Sequence, residues 1–133
     1  MLERINPTGI QAPIANYSHA TLVPAAARWL FISGQVGVRP DGETPGSIEA
    51  QTEQAFENLM AILTAAGMSA EHLVRLNVYL TDAADRAAYM TVRDRYVSRP
   101  PPASTLVVVQ ALARPEFKVE VEAVAAAPAG HGT

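Results

Sequence analysis

The sequence predicts an α+β fold in which two helices cover one face of a mixed sheet and the other face is left open. Three observations carry it. A helical period, with Ala55, Phe56, Leu59, Ile62, Leu63 and Ala66 on one side, follows Ser47 and stops at Gly67. The stretch LVRLNVYLTD alternates cleanly, setting Val74, Leu76, Val78 and Leu80 against Arg75, Asn77, Tyr79 and Thr81. The closing FKVEVEAVA alternates in the same way, with Phe117, Val119, Val121 and Ala123 on one face and Lys118, Glu120 and Glu122 on the other.

In chain order, residues 1–16 are rich in Pro, Gly and Asn and read as an irregular lead-in. YSHATLV then begins a strand, and a turn at residues 24–27 leads to RWLFISGQVGV, a second strand expected to form a hairpin with the first. Gly34 inside that strand marks a bulge or a close approach to the backbone. After the first helix and the LVRLNVYLTD strand, Asp82 can cap a second helix with Ala88, Tyr89, Val92 and Tyr96 on one face. Arg93, Arg95 and Arg99 then fall on its outer side, and the prolines at 100, 101 and 102 end it. Residues 106–109 of the next strand are apolar on both faces, so both should be covered, one by helices and the other by a second subunit. The order is β-β-α-β-α-β-β, in one domain spanning 1–133, with residues 126–133 read as a disordered tail.

The chain has 133 residues, a formal net charge of -3, and Lys118 as its only lysine. That balance gives no cationic field for a phosphate backbone, so nucleic acid is not expected as a partner. With no cysteine, thiolate nucleophiles, disulfides and Cys-ligated metals are excluded, and the cytosol fits. No signal peptide is read in the first 15 residues, and no apolar run is long enough to span a bilayer.

Glu120 is the leading candidate for chemistry. A carboxylate on a strand covered from both sides is partly desolvated, which raises its pKa toward the range useful for proton transfer. Glu122 lies about 7 Å away on the same face, with the same logic. Of the histidines, His131 lies in the tail and His72 in a short turn where capping explains it; His19 shares a strand face with Tyr17, so both could reach one site. No nucleophile elbow, H-E-x-x-H, EF-hand or phosphate-binding glycine loop is present, and no dedicated metal site or cofactor is expected.

Several segments taken together resemble the Rid family of reactive intermediate deaminases, also called YjgF-like or L-PSP proteins. They are the N-P-x-G-I-Q-A-P-I lead before Tyr17, FISGQVG, QTEQAFENLMAILTAAGMS, VRLNVYLTD and KVEVEAVA, which span nearly the whole chain. The resemblance implies a chorismate-mutase-like fold and a homotrimer with the open sheet faces packed inside and sites in clefts between subunits. It further implies, for the best understood branch, cofactor-independent hydrolysis of enamines and imines such as 2-aminoacrylate to 2-keto acids and ammonia. Ribonuclease action, sometimes attached to the family, does not suit the acidic balance here.

The family's pocket tyrosine, serine and glutamate correspond to Tyr17, Ser33 and Glu120, and the Gly34 N–H offers a further donor. Its carboxylate-gripping arginine does not: Ser104 occupies that place in Pro102-Ala103-Ser104-Thr105, and Met90 stands where the pocket asparagine is expected. Losing a hydrogen bond to a charged group removes about 1.5 to 3 kcal/mol. A serine hydroxyl does not replace a bidentate guanidinium. The expected activity is therefore hydrolysis of a small imine, enamine or related compound that need not be a 2-imino acid, with His19 or a neighbouring subunit's arginine as substitute anchor. The alternative is a non-catalytic trimer that binds a small metabolite or docks on a partner.

Overall fold

The computed structural model describes residues 1–129. Eight regular elements follow one another: β1 (Glu3–Ile5), β2 (Ala20–Leu22), β3 (Ala27–Val36), α1 (Ile48–Ala65), β4 (Leu73–Leu80), α2 (Arg86–Arg93), β5 (Ala103–Val108) and β6 (Val119–Pro128), with short 3-10 turns at Ala70–His72 and Ala83–Asp85. Four strands form the main sheet in the order β3-β6-β4-β5; only β4 and β5 run parallel, and the other neighbours are antiparallel.

Local chemistry sets the boundaries of α1. Ser47 accepts a hydrogen bond from the Ala50 N–H at 3.1 Å, and Gly67 adopts a φ of +71° just past the end. Phe56, Leu59 and Leu63 are fully buried on its inner face, against Leu76, Leu80, Val119 and Val121 of the sheet. The helix comes this close because position 37 lacks a side chain: a β-carbon on Gly37 would lie 2.6 Å from the Gln51 Cα. Gln51, 1% exposed, donates to the Pro45 and Glu116 carbonyls and accepts from the Lys118 N–H, which ties the helix to the start of β6. Burying an amide is tolerable only with its partners in place.

Two helices, α1 and α2, cover one sheet face, as expected for the α+β class. Four details differ. The second helix is shorter than its period suggests, ending at Arg93, before Tyr96 and well before the prolines. The lead-in is not wholly irregular: Glu3–Ile5 forms β1, which pairs with β2, so β2 does not form a hairpin with β3. The ten residues of β3 instead find an equally long partner in β6, while Arg4 reaches the Thr21 hydroxyl at 2.8 Å to hold the small ribbon. β6 runs to Pro128, so residues 126–128 are strand and not tail; residues 130–133, His131 included, lie outside the described residues. The strand persists because Ala125, Ala126 and Ala127 are buried between neighbours. Finally, Arg93 points inward and is only 4% exposed, paired with Asp94 at 2.9 Å and stacked over the Tyr89 ring, whereas Arg95 and Arg99 are exposed.

The open face carries Trp29 and Phe31, stacked at 6.2 Å and respectively 50% and 75% exposed, together with Val107. Solvated sheets rarely display aromatic pairs of this size.

Candidate functional site

The ladder between β3 and β6 is broken between Ile32 and Gln35. Ser33 and Gly34 together stand opposite Glu122, so an extra residue is inserted and the chain bends. Into this bulge folds the Glu120 side chain. A β-carbon on Gly34 would lie 1.8 Å from Glu120 Oε2 and 2.7 Å from its Cδ, so the carboxylate occupies the space that a side chain at 34 would need. Both readings of that glycine, bulge and close approach, are realised at once. A cavity of about 340 Å³ lies along the same strands, lined in part by Phe31, Ser33, Asn77 and Glu122 and not by Gly34 or Glu120.

Glu122 is the second carboxylate of the strand and is more heavily engaged. Its Oε1 accepts from the Tyr79 hydroxyl at 2.8 Å and from Asn77 Nδ2 at 3.1 Å, and Arg75 Nε donates to Asn77 Oδ1 at 2.9 Å. The hydrogen bond to Glu122, then desolvation and the negative charge of Glu122 and Glu120, hold the Tyr79 hydroxyl above its ordinary pKa. The sequence reading set Arg75, Asn77 and Tyr79 on the polar face of β4 but gave them no role. The signal available was their register: Asn77 faces Glu122 and Tyr79 faces Glu120 across the antiparallel ladder.

The remaining candidates gather elsewhere. Ser18 bridges to Ala103 and donates its N–H to the Pro102 carbonyl at 3.0 Å, placing Tyr17 next to the start of β5. The Tyr17 and His19 rings meet edge to face at 6.2 Å, so the two side chains lie together; His19 Nδ1 is buried and has no hydrogen-bond partner among the described residues. Ser104 pairs with Leu76, whose side chain is fully buried, and therefore faces the helices and not the open side. Met90, on α2, lines a separate cavity of about 520 Å³ with Ala83, Ala84, Arg86 and Ala87. His72 caps its own 3-10 turn, accepting from the Ser69 N–H at 3.0 Å.

Two strand spacings and three residues along the ladder separate Glu120 from Ser104, about 14 Å, and the two side chains lie on opposite faces. One chain thus sets its candidate residues in two places: Ser33, Gly34 and Glu120 at the bulge, and Tyr17 with His19 beside the start of β5, the strand that carries Ser104. Among the described residues no three His, Asp or Glu side chains gather to hold a metal ion, and no helix is long and apolar enough to cross a membrane.

The fold and the S-G-Q bulge beneath a glutamate can be set against known proteins. The family model for Endoribonuclease L-PSP matches residues 9–127. The chain belongs to this family, the Rid/YjgF group. Within it, Protein DfrA of Myxococcus xanthus is 41% identical over 119 residues, covering 86% of this chain and 89% of that one. The 2-iminobutanoate/2-iminopropanoate deaminase of Mus musculus is 36% identical, covering 91% and 88% respectively. The crystal structure of the Rid family protein YyfB from Yersinia pestis superposes with a TM-score of 0.82 at 32% identity, covering 95% of this chain and 98% of that one. This L-PSP chain therefore has the chorismate-mutase-like α+β architecture of its group.

Proposed function

We propose that this Rid-family chain is a cofactor-independent hydrolase of small imines or enamines, acting as a homotrimer in the cytosol, with Glu120 as the group that activates water. The observation that carries the reading is the contact between Glu120 and Gly34. A carboxylate folded against a glycine in a bulge is confined by the backbone beneath it, in the space that any other residue at position 34 would fill.

The chemistry needs little more. An imine carbon is electrophilic; Glu120 takes a proton from water as the oxygen adds to that carbon and returns it to the nitrogen, then carries the hydroxyl proton of the resulting carbinolamine to the same nitrogen, so that the C–N bond breaks, ammonia leaves and the carbonyl forms. Overall one imine and one water give one carbonyl compound and one ammonia. Ser33 and the Gly34 N–H supply polar contacts at the bulge, and Tyr17 with His19 closes the site from a neighbouring copy. Assembly is what supports this last step. The half-sites of a single chain are about 14 Å apart, and a second copy packed on the Trp29-Phe31 face covers that apolar surface. The mouse relative is named for deaminating 2-iminobutanoate and 2-iminopropanoate. Here Ser104 and Met90 stand in place of the family's arginine and asparagine, and this favours an imine without a carboxylate.

The same two positions favour the second reading, a trimer that binds a small metabolite or a partner without turning it over. Incubation with 2-aminoacrylate generated in situ, and in parallel with an imine that lacks a carboxylate, separates the two. The hydrolase reading expects faster ammonia release from the second compound than in buffer. No acceleration with either supports the binding module.

A further inference from the structure

Tyr17 is held from both sides, and one of the two holds reaches it from α2. On one side, Ser18 is 1% exposed, donates its N–H to Pro102 and its hydroxyl to the Pro101 carbonyl. On the other, Asn16 Nδ2 donates to Asp94 Oδ1 at 3.2 Å, across 78 positions of sequence. Asp94 Oδ1 is itself gripped: Arg93 Nε and NH2 donate to it at 3.2 and 2.9 Å. Arg93 is buried and lies over the Tyr89 ring, and Tyr89 is fully buried against Phe56. One carboxylate oxygen therefore accepts three donors, two from the core side and one from the loop.

We propose that Asp94 is a positioning residue for Tyr17: anchored through Arg93 to the core, it fixes Asn16 and so holds the Tyr17 loop against the start of β5. The physical argument is one of stiffness. Tyr17 lies outside the regular strands, and a loop of this kind is mobile unless its backbone is tied down. The Ser18 bonds tie one end to the segment that carries Ser104. The Asp94 clamp ties the other end to α2, so Tyr17 is defined relative to both elements that border its half-site. Arginine is suited to the anchor because it remains charged when buried and presents more than one donor to the same acceptor.

The consequence for the site rests on the hydrolase reading above: releasing Asn16 should lower the fraction of chains with Tyr17 in place, which weakens apparent binding and leaves the chemical step at Glu120 alone. Asp94→Ala strands a buried guanidinium and destabilises the chain for that reason alone, so Asn16→Ala is the primary variant. Two readouts are used. Hydrogen exchange of the Ser18 amide, followed in the assembled protein, should speed up roughly fivefold, the equivalent of one hydrogen bond. With a substrate that is turned over, KM should rise by a similar factor while kcat changes less than twofold, and the KM effect should vanish in a Tyr17→Ala background. Unchanged Ser18 exchange overturns the clamp, whatever the activity. Faster exchange with unchanged KM, or a KM effect that persists without Tyr17, overturns its role in the site. A wild-type protein that hydrolyses no imine contradicts the hydrolase reading only, because the exchange measurement still decides whether Asp94 holds the loop.

Discussion

Glu120 and Gly34 share one volume: the carboxylate of the first fills the place where the second would carry its β-carbon, with 1.8 Å between that position and Oε2. Gly34→Ala must therefore move the carboxylate. Because the displaced atoms are the far end of a flexible side chain, the fold should tolerate the change. Melting should shift by only a few degrees, about 1 kcal/mol, while ammonia release falls nearly as far as in a Glu120 variant. Paired melting and turnover measurements check it.

Gly37 gives the opposite outcome. Its β-carbon would meet the Gln51 backbone at 2.6 Å, and a helix backbone cannot swing aside as a side chain can. Gly37→Ala should destabilise by about 1 to 3 kcal/mol, measured by denaturant unfolding, with specific activity per folded molecule retained. Two glycines three positions apart are thus predicted to fail in different assays.

Phe56 tests the core. It is fully buried, stacks on Tyr96 at 5.3 Å and meets Tyr89 at 6.1 Å. Phe56→Ala should cost about 3 to 5 kcal/mol, read from the urea midpoint.

Tyr96 supplies a pH signature. Burial first, then the hydrogen bond to Glu57 at 2.7 Å, pushes its hydroxyl up to about 12 from an ordinary 10. The folded state therefore holds this proton more tightly than the unfolded one. The resulting stability is fully present below pH 10 and is lost as pH rises through about 12. In a spectrophotometric tyrosine titration, Tyr96→Phe should remove a step near pH 12.

The Trp29-Phe31 pair tests assembly. Phe31→Asp places a charge on the apolar open face and should convert the oligomer to a monomer in sedimentation. It should also abolish turnover, since the Tyr17 half-site would then lack its partner.

Alternation and capping made much of this legible. Ser47, Gly67, the inward set Val119, Val121 and Ala123, and the outward pair Glu120 and Glu122 all follow from local rules, because each depends on periodicity or on a single turn. What escaped was nonlocal. Nothing in YSHATLV indicates that its partner is Glu3–Ile5 and not β3, since a three-residue strand leaves almost no pattern. Arg93 reads as a surface residue until Asp94 and the Tyr89 ring are seen around it. The polar cluster of Asn77, Tyr79 and Glu122 depends on the β4-β6 register, which no single strand contains. Of the candidates, Tyr17 and His19 were paired by position alone; Ser33, Gly34 and Glu120 were set together by the resemblance, and the contact of Glu120 with Gly34 depends on a cross-strand bulge that alternation does not show.

The most direct test of the account is the ammonia released by Glu120→Ala from an imine that the wild-type protein hydrolyses, with the oligomeric state measured on the same sample. Turnover lost in an intact oligomer is the predicted result; turnover unchanged from wild type would contradict the assignment of Glu120.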